Sequence, residues 1–134
     1  MAKPPIIFDS WALIAFLEDE PAAEKIEALI AEAHQVQTDL LVTTVNLGEV
    51  WYSLARSRSD ADAERAMGVI LGLGFQSVDV DWALAERAAK FKARHAIAYA
   101  DCFAAALADS HKAVVVTGDP EFKKLQNVVK ILWV

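Results

Sequence analysis

Short apolar runs alternate along the chain with segments whose apolar residues recur every three or four positions. Runs of four to eight residues rich in Val, Ile, Leu and Phe are typical of buried β-strands. Five such runs predict strands near residues 5–8, 40–44, 75–80, 113–117 and 128–134. The longer periodic segments between them predict helices.

These helical segments begin and end at recognisable signals. Two helices are expected after the first strand, from Ser10 to about Glu18 and from Pro21 to about His34, because EDEP interrupts the pattern. Two more follow the second strand, one over about 45–57 and one that ends at GLG. The predicted apolar face of the latter comprises Ala63, Met67, Ile70 and Leu71. A helix after Asp81 and another around Asp101 precede the fourth strand.

A strand followed by a helix, repeated along the chain, predicts parallel strands joined by right-handed crossovers. Helices then cover both faces of the sheet, which explains strands that are apolar almost throughout. We therefore predict an α/β fold, a three-layer α/β/α sandwich with a five-stranded parallel sheet. A single domain is expected over residues 1–134, since no linker or repeat interrupts the pattern.

The composition of the chain indicates the class of protein and its cellular location. Hydrophobic residues make up 55% of the chain, above the roughly 45–50% of soluble domains, which predicts apolar surface that contacts a partner. No apolar run reaches the roughly 18–20 residues of a membrane helix, and the N-terminal segment lacks the apolar core of a signal peptide. Cys102, the single cysteine, is expected to pack in the core. We expect a cytoplasmic protein with no membrane contact.

Four acidic residues fall at one edge of the predicted sheet. Asp9 ends the first strand and Asp119 follows the fourth. Glu49 lies early in the helix after the second strand, and Asp101 lies near the start of the helix before the fourth strand. Ligands of open parallel sheets bind outside the carboxyl ends of the strands, so the four side chains are expected to meet in one crevice.

Asp101 is unusual because the rest of its helical face is apolar, with Ala98, Ala104, Ala105 and Ala108. Burying an unpaired carboxylate there is costly. The helix dipole offsets part of that cost, and a divalent cation shared by several carboxylates would offset much more. Carboxylates without His or Cys favour Mg²⁺ or Mn²⁺ over zinc, and such an ion supports phosphodiester hydrolysis.

Each of these acids also has a purely structural interpretation. Asp119 before Pro120 is a strong helix N-cap signal, which is compatible with metal binding but does not require it. Asp9 could likewise open a helix, and Asp101 or Glu49 could face solvent. The prediction of a site depends on all four acids occurring together at corresponding ends of their elements.

With these residues the chain resembles the PIN-domain ribonucleases, most closely the VapC-type toxins of toxin–antitoxin pairs. The resemblance spans nearly the whole chain and rests on IIFDSWALIAFL, NLGEVWYSLAR, AYADCFAAALA and VVVTGDPEF, in that order. It implies a Mg²⁺- or Mn²⁺-dependent endoribonuclease. Its implied catalytic and metal-binding residues are Asp9, Glu49, Asp101 and Asp119, with Asp9 and Asp101 as our principal metal ligands.

The same resemblance implies several contacts around the site. The hydroxyls of Ser10 and Thr117 would orient carboxylates or waters. A cognate antitoxin would cover the groove with its tail, and the toxin would form a homodimer. Trp11 and Tyr52 are our candidate partner contacts, although such residues are more often core or interface.

The net charge of −6 opposes RNA binding unless metal ions or local basic patches offset it. Two basic clusters are present, at residues 56–65 and 87–94, and such clusters are usually solvated helix faces. We select Arg56 and Arg58 as RNA contacts because they follow the helix that carries Glu49.

Other functions stay open from the sequence. A phosphoacceptor receiver domain is also a small parallel α/β module with acids at strand ends, although no lysine ends the final strand at the acidic edge. A catalytically silent PIN-like binding module would keep the fold and lose the chemistry. A nuclease that cleaves DNA also fits, since a metal site alone does not select the sugar.

Overall fold

The computed structural model describes residues 3–134, so Met1 and Ala2, which the single-domain prediction included, lie outside the described residues. All five predicted strands are present, each one to three residues shorter than its apolar run. They are β1 (Ile6–Phe8), β2 (Leu40–Thr43), β3 (Phe75–Val78), β4 (Val114–Thr117) and β5 (Lys130–Trp133). The apolar runs therefore located the sheet correctly.

Six α-helices and a short 3₁₀ helix connect these strands in the described part of the chain. The α-helices are α1 (Ser10–Leu17), α2 (Ala23–Gln35), α3 (Thr44–Ser57), α4 (Asp60–Gly72), α5 (Trp82–Arg94) and α6 (Tyr99–His111). The 3₁₀ helix spans Pro120–Leu125. Side-chain oxygens cap the first turns of four α-helices, from Asp9, Thr43, Ser59 and Asp81. Such caps satisfy backbone N–H groups that would otherwise lack partners.

The strands form one parallel sheet in the order β3-β2-β1-β4-β5. The helices α1 to α4 pack on one face of this sheet, and α5, α6 and the 3₁₀ helix pack on the other. The predicted three-layer α/β/α sandwich is confirmed. Cys102 is buried in α6, as expected for a core residue.

Two positions differ from the predicted apolar faces. Leu71 is 54% exposed because the buried stripe of α4 runs through Ala63, Ala66 and Ile70, and Leu71 lies beside it. Ala98 was expected to share the buried face of Asp101, but it precedes α6 as the N-cap residue and is exposed.

The order of the strands fixes where a site can form. The connection that leaves β1 lies on one face of the sheet, whereas the helix that leads into the adjacent β4 lies on the other. The sheet therefore opens between the carboxyl ends of β1 and β4, which is where ligands bind in such folds. Within residues 3–134, no helix has the length and apolarity required to cross a bilayer.

Candidate active site

Asp9 lies directly after β1 and is fully buried. One carboxylate oxygen accepts a hydrogen bond from the Ala12 backbone N–H at 2.9 Å, and the other accepts one from the Thr117 hydroxyl. Thr117 Oγ1 in turn accepts a hydrogen bond from the backbone N–H of Asp119 at 3.0 Å. The Thr117 hydroxyl thus links the carboxylate that follows β1 to the end of β4, and together with the Ala12 N–H it holds the orientation of the Asp9 carboxylate.

Glu49 projects from the second turn of α3 toward the same edge. Its Oε1 accepts hydrogen bonds from the Ser10 hydroxyl at 2.7 Å and from the Asn46 side-chain amide at 3.3 Å. Ser10 is the first residue of α1, so this contact joins the starts of two helices that follow adjacent strands. Both donors bind the same oxygen, which leaves Oε2 of Glu49 available to the crevice.

Asn46 is the residue that sequence reasoning missed. It is fully buried, accepts a hydrogen bond from the Thr43 hydroxyl at 2.6 Å, and donates one to the backbone carbonyl of Ala100 at 3.2 Å. Together with Val50 and Leu54 it forms the buried stripe of α3, at spacings of four residues. An amide on an otherwise apolar stripe is the signal that could have identified it, because a buried amide requires hydrogen-bond partners.

Asp101 lies in the first turn of α6 and is 7% exposed. Its pKa is raised to about 7, first by burial and then by the negative charges of Asp119, Glu49 and Glu121. Burial also raises the pKa of Asp9 to about 8, because the lowering by the hydrogen bonds from Thr117 and Ala12 is too small to compensate, and the charges of Asp101 and Asp119 add to the increase. The four predicted acids therefore share one electrostatic environment. We call their side chains, at the ends of β1 and β4, the acidic crevice.

The sequence around this crevice matches a known domain family. Residues 6–128 match the sequence profile of the PIN domain. The chain belongs to the PIN-domain family. The sequence-based resemblance is thus confirmed at the level of the family, and no curated protein matches this PIN domain.

Solved structures share the fold of this PIN domain. VapBC2 from Rickettsia felis bound to a promoter DNA fragment has a TM-score of 0.79 at 13% identity, covering 96% of this chain and 97% of that chain. DNA-bound VapBC from Salmonella typhimurium has a TM-score of 0.75 at 21% identity, with coverage of 99% and 98%. Mycobacterium tuberculosis VapC20, a sarcin–ricin loop cleaving toxin, has a TM-score of 0.71 at 18% identity, with coverage of 88% and 92%.

The donor atoms of the acidic crevice are of the chemical type that binds a hard divalent cation. All are carboxylate oxygens, which Mg²⁺ and Mn²⁺ prefer. Their side chains do not form a ready-made cage, since no three His, Cys, Asp or Glu residues within 3–134 are grouped closely enough to hold a metal. Mg²⁺ commonly takes one or two carboxylates and keeps several waters, so such a cage is not required. The charge of Asp101 adds to the rise in the pKa of Asp9, and a bound cation would offset this repulsion.

Two further features of this PIN domain complete the crevice. Glu121, in the 3₁₀ helix, is a fifth acid whose charge reaches Asp101, although its own carboxylate pairs with Lys124 at 2.8 Å. The indole of Trp11 lies directly on Gly118, where a Cβ atom would overlap the ring. Trp11 therefore packs on the segment that joins Thr117 to Asp119.

The other predicted contact residues lie on or beside α3. Tyr52 is 45% exposed, and the guanidinium of Arg56 stacks over its ring at 5.0 Å from the centroid. Arg58 donates hydrogen bonds to both carboxylate oxygens of Glu18, the closest at 2.6 Å. The charge of Arg58 is thus already matched within the protein, whereas that of Arg56 rests on an aromatic face.

Proposed function

We propose that this PIN domain is a metal-dependent endoribonuclease that acts as the toxin of a toxin–antitoxin pair. The observation that carries the proposal is the pair of buried carboxylates, Asp9 and Asp101, at the point where the sheet opens. The pKa of each is raised well above the ordinary value of a carboxylic acid, and acids with such shifted pKa values in a cleft are typical of functional sites. VapC20, which shares the fold, is a sarcin–ricin loop cleaving toxin.

In this proposal Asp9 and Asp101 hold Mg²⁺ or Mn²⁺, and Glu49 and Asp119 complete the site directly or through water. A bound divalent cation supplies positive charge that lowers the pKa of a water and neutralises the leaving oxygen. The protein supplies rigid positions for its carboxylates. Thr117 donates a hydrogen bond to Asp9, while Ser10 and Asn46 both donate to one oxygen of Glu49, so that the other would be the oxygen that binds the metal or its water.

For RNA contacts we retain Arg56 and Arg58 as proposed, with different expectations for each. Arg58 would have to exchange its pairing with Glu18 for a phosphate, whereas Arg56 would only leave the ring of Tyr52. Because Arg58 would only exchange one anion, the Glu18 carboxylate, for another, a phosphate, we expect Arg58 to contribute less to RNA affinity than Arg56.

We propose that this PIN domain binds a cognate antitoxin, forms a homodimer and resides in the cytoplasm. Two of the similar structures are VapBC complexes, and a third similar structure is FitAcB from Neisseria gonorrhoeae. Trp11 and Tyr52 are the proposed contacts. Trp11 lines a recess of about 430 Å³ with Pro21, Ala22 and Lys25 between α1 and α2, which gives an apolar partner segment a place to bind.

The test is cleavage of a labelled RNA by the purified protein with EDTA, Mg²⁺ or Mn²⁺. We expect cleavage only with a divalent ion, and a loss of at least about 100-fold in Asp101→Asn. Asp60→Asn is the matched control, because Asp60 also lies in the first turn of a helix but is exposed outside the crevice. Cleavage that persists in Asp101→Asn, or that is equally rapid in EDTA, would overturn the proposal.

A further inference from the structure

A groove of about 460 Å³ runs along the outer surface of α5. Its charged and aromatic lining comprises Glu86, Arg87, Lys90, Phe91 and Arg94 from α5, His95 directly after α5, and Asp109 from α6. The groove thus combines three cationic and two acidic side chains with two aromatic rings, and it lies outside the acidic crevice. We call it the α5 groove.

Charge is distributed unevenly along the chain, and this groove lies in its basic part. Residues 82–134 carry eight Lys or Arg and five Asp or Glu, although they include Asp101 and Asp119 of the crevice. Residues 1–81 carry five Lys or Arg and fourteen Asp or Glu. The overall charge of −6 therefore conceals a basic region that can attract a polyanion.

Five of the eight cations of this region fall into two groups. Arg87 pairs with Asp109 at 2.6 Å, and Lys92 and Lys124 donate to the carbonyls of Ile97 and Ala96, in the turn before α6. These three are engaged by the protein itself. Lys90 and Arg94 are exposed and belong to none of the ion pairs among residues 3–134, although Arg94 donates one hydrogen bond to the Lys90 carbonyl at 3.1 Å. Since they are four residues apart, they project from the same face of α5.

Aromatic rings continue this face toward the crevice. The rings of Phe91 and His95 lie 6.2 Å apart between centroids, and Tyr99, at the start of α6, is 45% exposed. Aromatic side chains next to a basic track are what single-stranded nucleic acids require, because bases stack on the rings while cations contact the backbone.

The α5 groove ends beside the acidic crevice. The helices α5 and α6 are antiparallel, since a turn of four residues joins them and Arg87 pairs with Asp109 near the other end of α6. The C-terminal end of α5, with Arg94 and His95, therefore lies next to the first turn of α6, which carries Asp101.

We propose that the α5 groove binds the single-stranded RNA segment that flanks the cleavage site, with Lys90 and Arg94 contacting its phosphates and His95 stacking on a base. Tyr99, which lies outside the groove and packs on Phe103 at 4.8 Å between ring centroids, would stack on a base beside it. The inference rests on the proposed function, because it takes RNA as the substrate. It assigns the groove a role in affinity and in the position of the strand. It assigns no chemistry to these residues.

The test measures binding of a short fluorescent oligouridylate to the metal-free protein, so that cleavage does not interfere. The double variant K90Q/R94Q should bind about 10-fold more weakly, and the slope of log K against log salt should fall by about 1.4. The control K3Q/R65Q removes the same charge from positions outside the groove and should match the wild type. Equal affinity and slope in the two double variants would overturn the proposal.

Two further measurements separate the alternatives. Analytical ultracentrifugation of K90Q/R94Q tests whether the groove is a subunit contact, since a change in oligomeric state with unchanged RNA affinity would refute the RNA role. A polyglutamate peptide that binds the groove more tightly than oligouridylate would instead indicate an acidic protein partner. In cleavage assays K90Q/R94Q should raise KM and leave kcat unchanged. If the wild type binds RNA through the groove but does not cleave it, the proposed nuclease function is wrong and the proposed RNA-binding role of the groove stands.

Discussion

The acidic crevice and the α5 groove adjoin across one turn of chain, but they hold charge in opposite ways. Asp9 is fully buried and Asp101 nearly so, whereas Lys90 and Arg94 are exposed to solvent. A buried charge is costly unless hydrogen bonds or an opposite charge compensate, while an exposed charge is hydrated and screened by salt. Changes in the crevice should therefore alter stability, and changes in the groove should alter only binding.

The largest expected effect is the response of the metal-free protein to pH. The folded-state pKa values of Asp9, about 8, and Asp101, about 7, exceed the ordinary value, so the folded protein binds more protons than the unfolded chain. This contribution to stability is complete below about pH 4 and is lost as the pH rises through 7 and 8. Urea denaturation in EDTA should show a loss on the order of 6 kcal/mol between about pH 5 and pH 8.

The groove provides the control for this measurement. The variant K90Q/R94Q should reproduce the pH dependence of the wild type, because its substituted side chains lie outside the crevice. Addition of Mn²⁺ near pH 8 should restore the lost stability, since a ligand that binds only the folded state stabilises it. A profile that is flat with pH in EDTA would show that the crevice does not hold its carboxylates at a cost, and the comparison would fail.

A smaller effect is expected from the amide that supports the crevice. Asn46→Ala removes the acceptor of the Thr43 hydroxyl, one donor to the Ala100 carbonyl and one donor to Glu49. Unfolding free energy should fall by about 2–3 kcal/mol, and Mn²⁺ affinity measured by calorimetry should fall about 10- to 100-fold. Asn127→Ala, at the other asparagine of the chain, is exposed and serves as the control. Equal Mn²⁺ affinity in the two variants would mean that Asn46 supports only the fold.

The fold was predictable because each strand is a nearly continuous apolar run, which a sheet buried on both faces requires. Asp9 and Asp119 were predictable from their places after β1 and β4, where chain order alone puts them at one edge of the sheet. Asp101 was predictable for a different reason. A carboxylate among buried alanines contradicts the local pattern, and such contradictions are expected at functional sites.

What could not be predicted depends on contacts between distant parts of the chain. Asn46 binds the carbonyl of a residue 54 positions away, and Arg58 binds a glutamate 40 positions away. No local pattern encodes either partner. The sequence therefore favoured Arg58 over Lys90 and Arg94 for its proximity to Glu49, because the pairing of Arg58 and the absence of ion pairs at Lys90 and Arg94 among residues 3–134 are properties of the folded chain.

The smallest change in unfolding free energy is expected in Asp101→Asn. This variant also separates a role in function from a role in stability most directly. The amide has nearly the same shape but no charge, so it relieves the burial cost and the repulsion by Asp119, Glu49 and Glu121. Near pH 8 in EDTA the variant should be about 1–2 kcal/mol more stable than the wild type in urea denaturation, while Mn²⁺ should stabilise it far less.

Asp60→Asn, at an exposed first-turn acid, should show neither change. If Asp101→Asn were less stable than the wild type, Asp101 would be a structural residue whose charge the fold uses. If it were more stable and inactive, the chain would be retaining a destabilising charge at this position for catalysis, because selection for stability alone would favour the amide.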